Sequence, residues 1–250
     1  MVYNCQNNHQ NPIMKKHLLI IFMFSAFAAN AQTNIVKWNA FGMFLGNISL
    51  QYERTLNEHS SVALGLSYLP SRGFPTAAIS SDDKTQEADL KKLSFSGFAI
   101  TPEYRYYFTG KAPKGFYAAP YFRYSKYSFD DVYITYTNST TNVDERVIAG
   151  GDFKTTVIGV MVGAQWELGE HFALDWWIIG AGFGGQKGTF TATGDFNQGD
   201  ITDINSELAS TDADFPGSLD YTVTSTKVEI EYKSGFPAVR GFGLCLGYKF

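Results

Sequence analysis

The sequence predicts an all-β protein: an eight-stranded antiparallel transmembrane β-barrel with the strands in an up-and-down meander. Three observations predict it. Apolar and polar residues alternate along segments of about ten residues or more, aromatic residues gather near the segment ends, and short and long connections alternate. Tyr (15), Phe (21) and Gly (24) are abundant and only 18% of the 250 residues are charged, a composition that suits pleated strands. The net charge of −4 gives no reason to expect a nucleic acid as partner.

Residues 1–31 are predicted to be an upstream extension followed by a secretory signal peptide. A positive segment, Met14 to Lys16, precedes an apolar stretch from Leu18 to Ala28, and a small-x-small motif ends at Ala31. Cleavage there makes Gln32 the first residue of the mature chain. A membrane-anchor helix is the alternative, but the apolar stretch is shorter than the roughly 20 residues that a spanning helix needs.

The mature chain, residues 32–250, is predicted to form a single barrel domain. Cys5 is removed with the leader and Cys245 is left alone. No intrachain disulfide is therefore expected, although export leads to an oxidising compartment.

The first four strands are predicted at residues 35–45, 47–56, 61–69 and 93–108. Each has apolar side chains at every second position: Val36, Trp38, Ala40 and Phe44; Ile48, Leu50 and Tyr52; Val62, Leu64, Leu66 and Tyr68; Phe98, Ile100, Tyr104, Tyr106 and Phe108. Gly46 and Asn47 tolerate positive φ, so a tight hairpin is expected between the first two strands. Pro102 lies within the fourth strand, where its missing N–H calls for a local bulge.

The last four strands are predicted at residues 115–127, 154–168, 172–189 and 237–250. Their apolar positions are Phe116, Ala118, Phe122 and Tyr124; Ile158, Val160, Val162, Ala164, Trp166 and Leu168; Phe172, Leu174, Trp176 and Ile178; Phe242, Leu244, Leu246, Tyr248 and Phe250. Pro120 again calls for a bulge. The glycines of residues 180–185 lie in a strand with no Lys-Ser/Thr after them, so relief of crowding is favoured over a nucleotide loop.

The connections fix the strand count. Residues 57–60, 109–114 and 169–171 are interpreted as short periplasmic turns, and residues 70–91, 128–153 and about 191–235 as long polar outer loops. An even count with both ends in the periplasm follows. Residues 223–233 also alternate; we expect them to extend the last strand or to form β structure within the outer loop, since an extra strand would break the even count.

Segments such as "NISLQYERTL" and "GFGLCLGYKF" resemble the small outer-membrane barrels of the OmpA and OmpX type and the uncharacterised barrel families of Gram-negative bacteria. The resemblance implies an outer-membrane location, contact with membrane lipid and lipopolysaccharide, and a monomer. It also implies that the barrel assembly machinery reads Tyr248 and Phe250 as a C-terminal signal. Because the resemblance is to an architecture, it implies little about activity.

Charged residues on the polar faces of the strands are predicted to point into the barrel; these are Glu53, Glu103, Arg105, Arg123, Glu167 and Asp175. An eight-stranded interior is just wide enough to be filled by side chains. Unpaired buried charge is costly, so we expect these residues to pair as a salt-bridged plug. A proton or ion path, or an internal binding site, is the alternative.

No catalytic, cofactor or metal site is predicted. The mature chain has His59 and His171 in short turns, whereas barrel enzymes that modify lipid A, deacylases and palmitoyltransferases, need a histidine on the outer side. Seven carboxylates between residues 191 and 226 are expected to form a solvated acidic loop, with Ca²⁺ or bridging divalent ions as a secondary hypothesis; they are Asp195, Asp200, Asp203, Glu207, Asp212, Asp214 and Asp220.

The sequence thus favours a non-enzymatic outer-membrane protein with a structural or interaction role: envelope integrity, adhesion or surface contact through polar loops. A lipid-modifying barrel enzyme and a narrow channel for small solutes are the alternatives. The three differ in what the lumen and the outer rim must contain.

Overall fold

A computed structural model describes residues 33–73, 94–137, 143–214 and 216–250. The predicted extension and signal peptide, including the Ala31–Gln32 cleavage site, lie outside the described residues. These ranges contain ten strands and two helices: β1 (Asn34–Asn39), α1 (Ala40–Phe44), β2 (Ile48–Thr55), β3 (Ser60–Gly73), β4 (Ser94–Tyr107), β5 (Gly115–Thr137), β6 (Asp144–Leu168), β7 (Phe172–Thr193), α2 (Gln198–Asp214), β8 (Ser218–Val223), β9 (Lys227–Arg240) and β10 (Gly243–Lys249).

The strands form one antiparallel sheet that closes on itself. Neighbours in sequence pair from β1 to β7, and β10 pairs with both β1 and β7. Strand β9 runs along the second half of β7, beyond β10, and β8 pairs with the outer edge of β9. The prediction of eight strands is therefore two short of the observed count, and both additional strands lie between β7 and β10 in the chain.

The start of β1 and the C-terminal residue are joined by backbone hydrogen bonds. Asn34 N–H donates to the Phe250 carbonyl at 3.2 Å, and Phe250 N–H donates back to the Asn34 carbonyl at 3.0 Å. On the other side, Lys249 N–H donates to the His171 carbonyl at 2.7 Å. The alternating segment at the C-terminus is thus paired on both sides to its last residue, which removes the exposed edge that a strand there would present.

The connections define two ends of the sheet. The turn end carries residues 56–59, 108–114 and 169–171 together with Asn34 and Phe250, and the loop end carries the opposite connections. The predicted outer loop at residues 70–91 falls mostly outside the described residues.

Two predicted loop-end features are wrong in detail. The first strand stops at Asn39, where α1 begins, because the Asn39 side chain accepts a hydrogen bond from Gly42 N–H at 2.8 Å and caps the helix. Residues 128–153, predicted as a loop, are mostly strand: β5 and β6 stay paired from Ser128 opposite Asp152 to Thr137 opposite Asp144.

The predicted acidic loop is also largely ordered structure. Helix α2 occupies residues 198–214, and Ile201, Ile204 and Leu208 pack on a small apolar cluster of Val147, Phe196 and Val228. Residues 223–233 fall on β8 and β9, and β9 extends the line of β10 along β7. The expectation that this segment extends the last strand describes β9, and the alternative of β structure within the outer loop describes the pairing of β9 with β8.

No bulge marks either proline. The register between β4 and β5 is constant through Ile100–Tyr124, Glu103–Tyr121 and Tyr106–Ala118. The residue pairs that include Pro102 or Pro120 are absent from the β4–β5 pairing, but the register is the same on both sides of them. The bulges lie elsewhere, between Leu69 and Arg72, between Phe129 and Val132 and between Val162 and Gly163.

The polarity of the two faces of the closed sheet is the reverse of that in a water-soluble domain. Outward side chains along β1 to β7 and β10 are apolar and exposed, among them Val36, Leu50, Leu66, Ile100, Phe122, Val160 and Leu246. Inward positions carry most of the buried polar and charged residues. Within the described ranges, no helix is long and apolar enough to cross a membrane.

Glycines make room for the aromatic side chains of the interior. Tyr117 is the registered partner of Gly163, and Tyr121 is the partner of Gly159. A Cβ on Gly163 would lie 2.4 Å from Tyr117 Cζ, and one on Gly159 would lie 2.7 Å from Tyr121 Cζ. Both rings can fold over the neighbouring strand only because those positions have no side chain.

Candidate functional site

The turn-end half of the interior is filled by a charged network that begins at Lys37 on β1. Its ammonium group donates to Asp175 Oδ2 at 2.6 Å and to Gln165 Oε1 at 2.5 Å, and it pairs with Glu53. These partners come from β2, β6 and β7. A single lysine therefore connects four strands across the lumen.

Arg105 on β4 is the second cation of the network and is fully buried. Its guanidinium donates to Asp175 Oδ2 at 2.7 Å, to Glu103 Oε2 at 2.9 Å and to Gln51 Oε1 at 2.7 Å. Glu53 lies 3.3 Å away. The planar fork of an arginine suits such multiple contacts, because its five donors point in fixed directions.

Two buried tyrosines and a tryptophan complete the hydrogen bonds of the carboxylates. Tyr107 donates to Glu53 Oε1 at 2.7 Å, Tyr117 donates to Asp175 Oδ1 at 2.8 Å, and Trp177 Nε1 donates to Asp175 Oδ2 at 3.2 Å. Arg105 also lies over the Tyr117 ring, 4.5 Å from its centroid. Both oxygens of Asp175 thus accept hydrogen bonds from buried donors.

Arg240 on β9 closes the network on the side of the loop end. It pairs with Glu103 Oε1 at 2.5 Å, and its guanidinium lies 4.5 Å from the Trp177 ring and 5.3 Å from the Tyr121 ring. The network then holds three cations, Lys37, Arg105 and Arg240, and three carboxylates, Glu53, Glu103 and Asp175. Equal numbers of opposite charges lower the cost of removing them from water.

The structure brings together four of the six charged residues that the sequence singled out: Glu53, Glu103, Arg105 and Asp175. Glu167 lies at the turn end instead, where it is exposed and pairs with Lys249 at 2.6 Å. Arg123 lies on the loop-end side of the network and donates to Thr101 Oγ1 at 2.9 Å.

Sequence reasoning missed Lys37, Arg240, Gln165 and the two tyrosines of the network. Lys37 had a signal, because it alternates with the apolar residues Val36 and Trp38. No signal in the sequence pointed to Arg240. Even-numbered residues point inward on β9, whereas odd-numbered residues do so on β10. The break at residues 241–242 resets the alternation.

A cavity of about 410 Å³ lies between the network and the loop end. Its walls include Arg123, Arg240, Tyr121, Trp177 and Phe236. The turn-end half of the lumen is thus packed with side chains, and the other half is open enough to hold a small molecule.

The remaining candidate residues are placed away from this cavity. His59 and His171 lie at the turn end and stack on Tyr106 and Tyr248, with ring centroids 5.6 and 5.9 Å apart. In the described ranges, no group of three or more His, Cys, Asp or Glu side chains is arranged to hold a metal ion. Asp200 is buried and accepts a hydrogen bond from Asn197 N–H at 2.9 Å, a contact at the start of α2.

Residues 17–202 match the family described as "Protein of unknown function (DUF3575)". A solved structure of a major outer membrane protein from Thermus thermophilus is 16% identical, over 88% of this chain and 99% of that chain, with a TM-score of 0.41. The β domain of the Bordetella autotransporter Brka is 10% identical, over 88% and 97%, with a TM-score of 0.23. Structural likeness this weak does not establish a shared fold.

No curated protein matches the chain. The family match runs from before β1 into α2 and so includes Lys37, Glu53, Glu103, Arg105 and Asp175. Since it covers well over half of the sequence, this chain belongs to the DUF3575 family of proteins.

Proposed function

We propose that this protein is an outer-membrane β-barrel with a structural or interaction role, holding its loop-end elements at the cell surface. The observation that carries the proposal is the inversion of the sheet. Apolar side chains cover the outside of a closed ring of strands, and a neutral network of paired charges fills the inside. Such a ring satisfies its backbone hydrogen bonds internally, which is what hydrocarbon requires of a spanning structure.

In this proposal the closed ring of β1 to β7 and β10 lies in the membrane; β1 and β10 have 6 and 7 residues and are continued toward the loop end by α1 and β9. A tilted strand needs about 9–11 residues to cross the hydrocarbon core, whereas β5, β6 and β7 have 23, 25 and 22 residues. Their loop-end halves therefore extend into water, together with β8, β9 and α2. This projecting part supplies the surface for adhesion or contact.

The interior supports a non-catalytic role over the alternatives. Lys37, Arg105, Tyr107 and Tyr117 are fully buried side by side in the lumen, which opposes a continuous pore. The carboxylates are occupied by cationic and hydroxyl donors, which opposes acid–base chemistry at the network. Membrane lipid and lipopolysaccharide are the proposed surroundings, the barrel assembly machinery is the proposed partner during biogenesis, and the working unit is a monomer.

Cell fractionation combined with gel migration tests the proposal. We expect the protein in the outer-membrane fraction, with a mature N-terminus at Gln32. We also expect faster migration in unheated detergent samples than in boiled ones, because a closed barrel stays folded in mild detergent. Recovery in the soluble fraction, or identical migration before and after boiling, would contradict it.

A further inference from the structure

The cavity above the charged network has the dimensions and the lining of a binding site. Its volume of about 410 Å³ falls within the range of about 300–1,000 Å³ that is typical of small-molecule sites. The floor is formed by Arg240, held against Glu103, and by the rings of Tyr121 and Trp177. Phe236 and Ala238 of β9 add apolar surface.

The charge of this cavity is positive. Arg123 and Arg240 are the charged residues of its lining, and among the described residues that line it there is no carboxylate. Arg240 is neutralised within the network of three cations and three carboxylates. Among the described residues, the network is already balanced, so Arg123 adds one further positive charge beside it.

The guanidinium of Arg123 has more donors than its contacts to described residues use. Its strand position places it two residues beyond Tyr121, the registered partner of Glu103, on the same inward face. Among the described residues, its guanidinium donates to Thr101 Oγ1 at 2.9 Å and is hydrogen-bonded to the Tyr127 side chain, and neither contact is a salt bridge. A guanidinium carries five N–H donors, more than these two contacts use, and a half-buried cation with no carboxylate paired to it among the described residues favours an anionic partner.

We propose that this cavity binds a small organic anion. The acid group of the ligand pairs with Arg123 beside Arg240, and its apolar or aromatic part packs against Trp177 and Phe236. Because the site is inside the ring of strands and away from the outward apolar face, the ligand is a solute and not a lipid headgroup. This goes beyond the proposed structural role, and its test is separate from the fractionation experiment.

Fluorine NMR on the purified protein in zwitterionic lipid nanodiscs tests the site, with 4-fluorobenzoate as the probe. The neutral isostere 4-fluorobenzamide and inorganic phosphate are the comparison ligands. We expect the benzoate to bind at least tenfold more tightly than either, since it alone supplies both the charge and the ring. Equal binding of benzoate and benzamide would overturn the proposal, as would binding of phosphate alone.

The variant Arg123→Gln should weaken binding of 4-fluorobenzoate at least tenfold. Lys126→Gln is the matched control: it removes one positive charge from the same strand, where Lys126 pairs with Asp152 at 3.1 Å and does not line the cavity. Ala238→Phe, which fills the cavity without changing its charge, should also abolish binding and replaces Arg123→Gln if that variant does not fold. Unchanged affinity in a folded Arg123→Gln or Ala238→Phe protein would contradict the proposal.

Discussion

Arg105 donates a 2.7 Å hydrogen bond to Asp175 from a position 70 residues earlier in the chain. The two residues lie on β4 and β7, strands that share no backbone pairing. The bond therefore crosses the lumen and ties opposite walls of the ring. With Lys37, which reaches Asp175 from β1 at 2.6 Å, it makes Asp175 the point at which three strands meet.

Removing the charge of Asp175 should destabilise the protein strongly. Asp175→Asn leaves Lys37 and Arg105 with an excess positive charge in a buried site, and breaking one member of a buried ion pair costs about 3–5 kcal/mol. Urea-dependent unfolding from lipid vesicles measures the change in the free energy of unfolding.

Asp152→Asn is the control for that measurement. Asp152 pairs with Lys126 at 3.1 Å, but both side chains are 35% exposed. An exposed pair of this kind contributes about 0–1 kcal/mol. Similar losses in the two variants would mean that the interior network does not hold the barrel together.

Gly163→Ala should be destabilising through steric overlap alone. The new methyl group would lie 2.4 Å from Tyr117 Cζ and 2.8 Å from the Trp176 carbonyl oxygen, and overpacking of this kind costs about 1–3 kcal/mol. Gly185→Ala is a matched substitution, since the nearest atom there is 3.9 Å away. Equal unfolding midpoints for the two variants would show that Tyr117 does not lie over Gly163.

A charge on the outward face should be costly only in the middle of the apolar band. Leu66 lies opposite Ile100 in the β3–β4 ladder, several residues from either end of β3. Leu66→Arg should lose about 2–4 kcal/mol of stability in vesicles, the cost of an arginine at the bilayer midplane. Leu56→Arg, at the turn end, should lose about 1 kcal/mol or less. If Leu66→Arg were neutral or improved solubility in water, the outward face would not contact lipid.

The lumen should not conduct ions. Lys37, Arg105, Tyr107 and Tyr117 are each at most 1% exposed and fill the ring at the level of the network. Purified protein in planar bilayers should therefore give no conductance above that of a protein-free membrane. Discrete conductance steps in the unmodified protein would favour the narrow-channel alternative.

Period-two alternation predicted most strand positions and the inward direction of Glu53, Glu103, Arg105 and Asp175, because side chains alternate between the faces of a strand. Alternation does not predict the inward positions correctly where the strand pairing shifts. On β7 the inward positions change from odd at Asp175 to even at Gly180, next to the register shift at Val162/Gly163. The interior role of Arg240 depends on a similar reset at residues 241–242, which alternation alone does not reveal.

Alternation also did not predict how far the long strands extend. Residues 128–137 and 144–153 are polar enough to be taken for loops, yet they continue the β5–β6 ladder past a bulge between Phe129 and Val132. Their support comes from rings that the pairing brings together, such as Tyr127 on Phe153 at 5.0 Å and Phe129 on Phe190 at 6.0 Å. These contacts join residues that are far apart in sequence, so they cannot be predicted from local composition.

Trp176 and Trp177 offer the most direct test of the inverted barrel, because they are adjacent in sequence and face opposite sides. Trp176 stacks with Trp166 on the outside, with ring centroids 6.4 Å apart, while Trp177 is buried under Arg240 in the lumen. Two single-tryptophan proteins, each with the other three of the four tryptophans changed to Phe, can be placed in vesicles whose acyl chains carry bromine. We expect strong quenching of Trp176 fluorescence and little quenching of Trp177. Equal quenching of the two, or none of either, would contradict the inverted barrel.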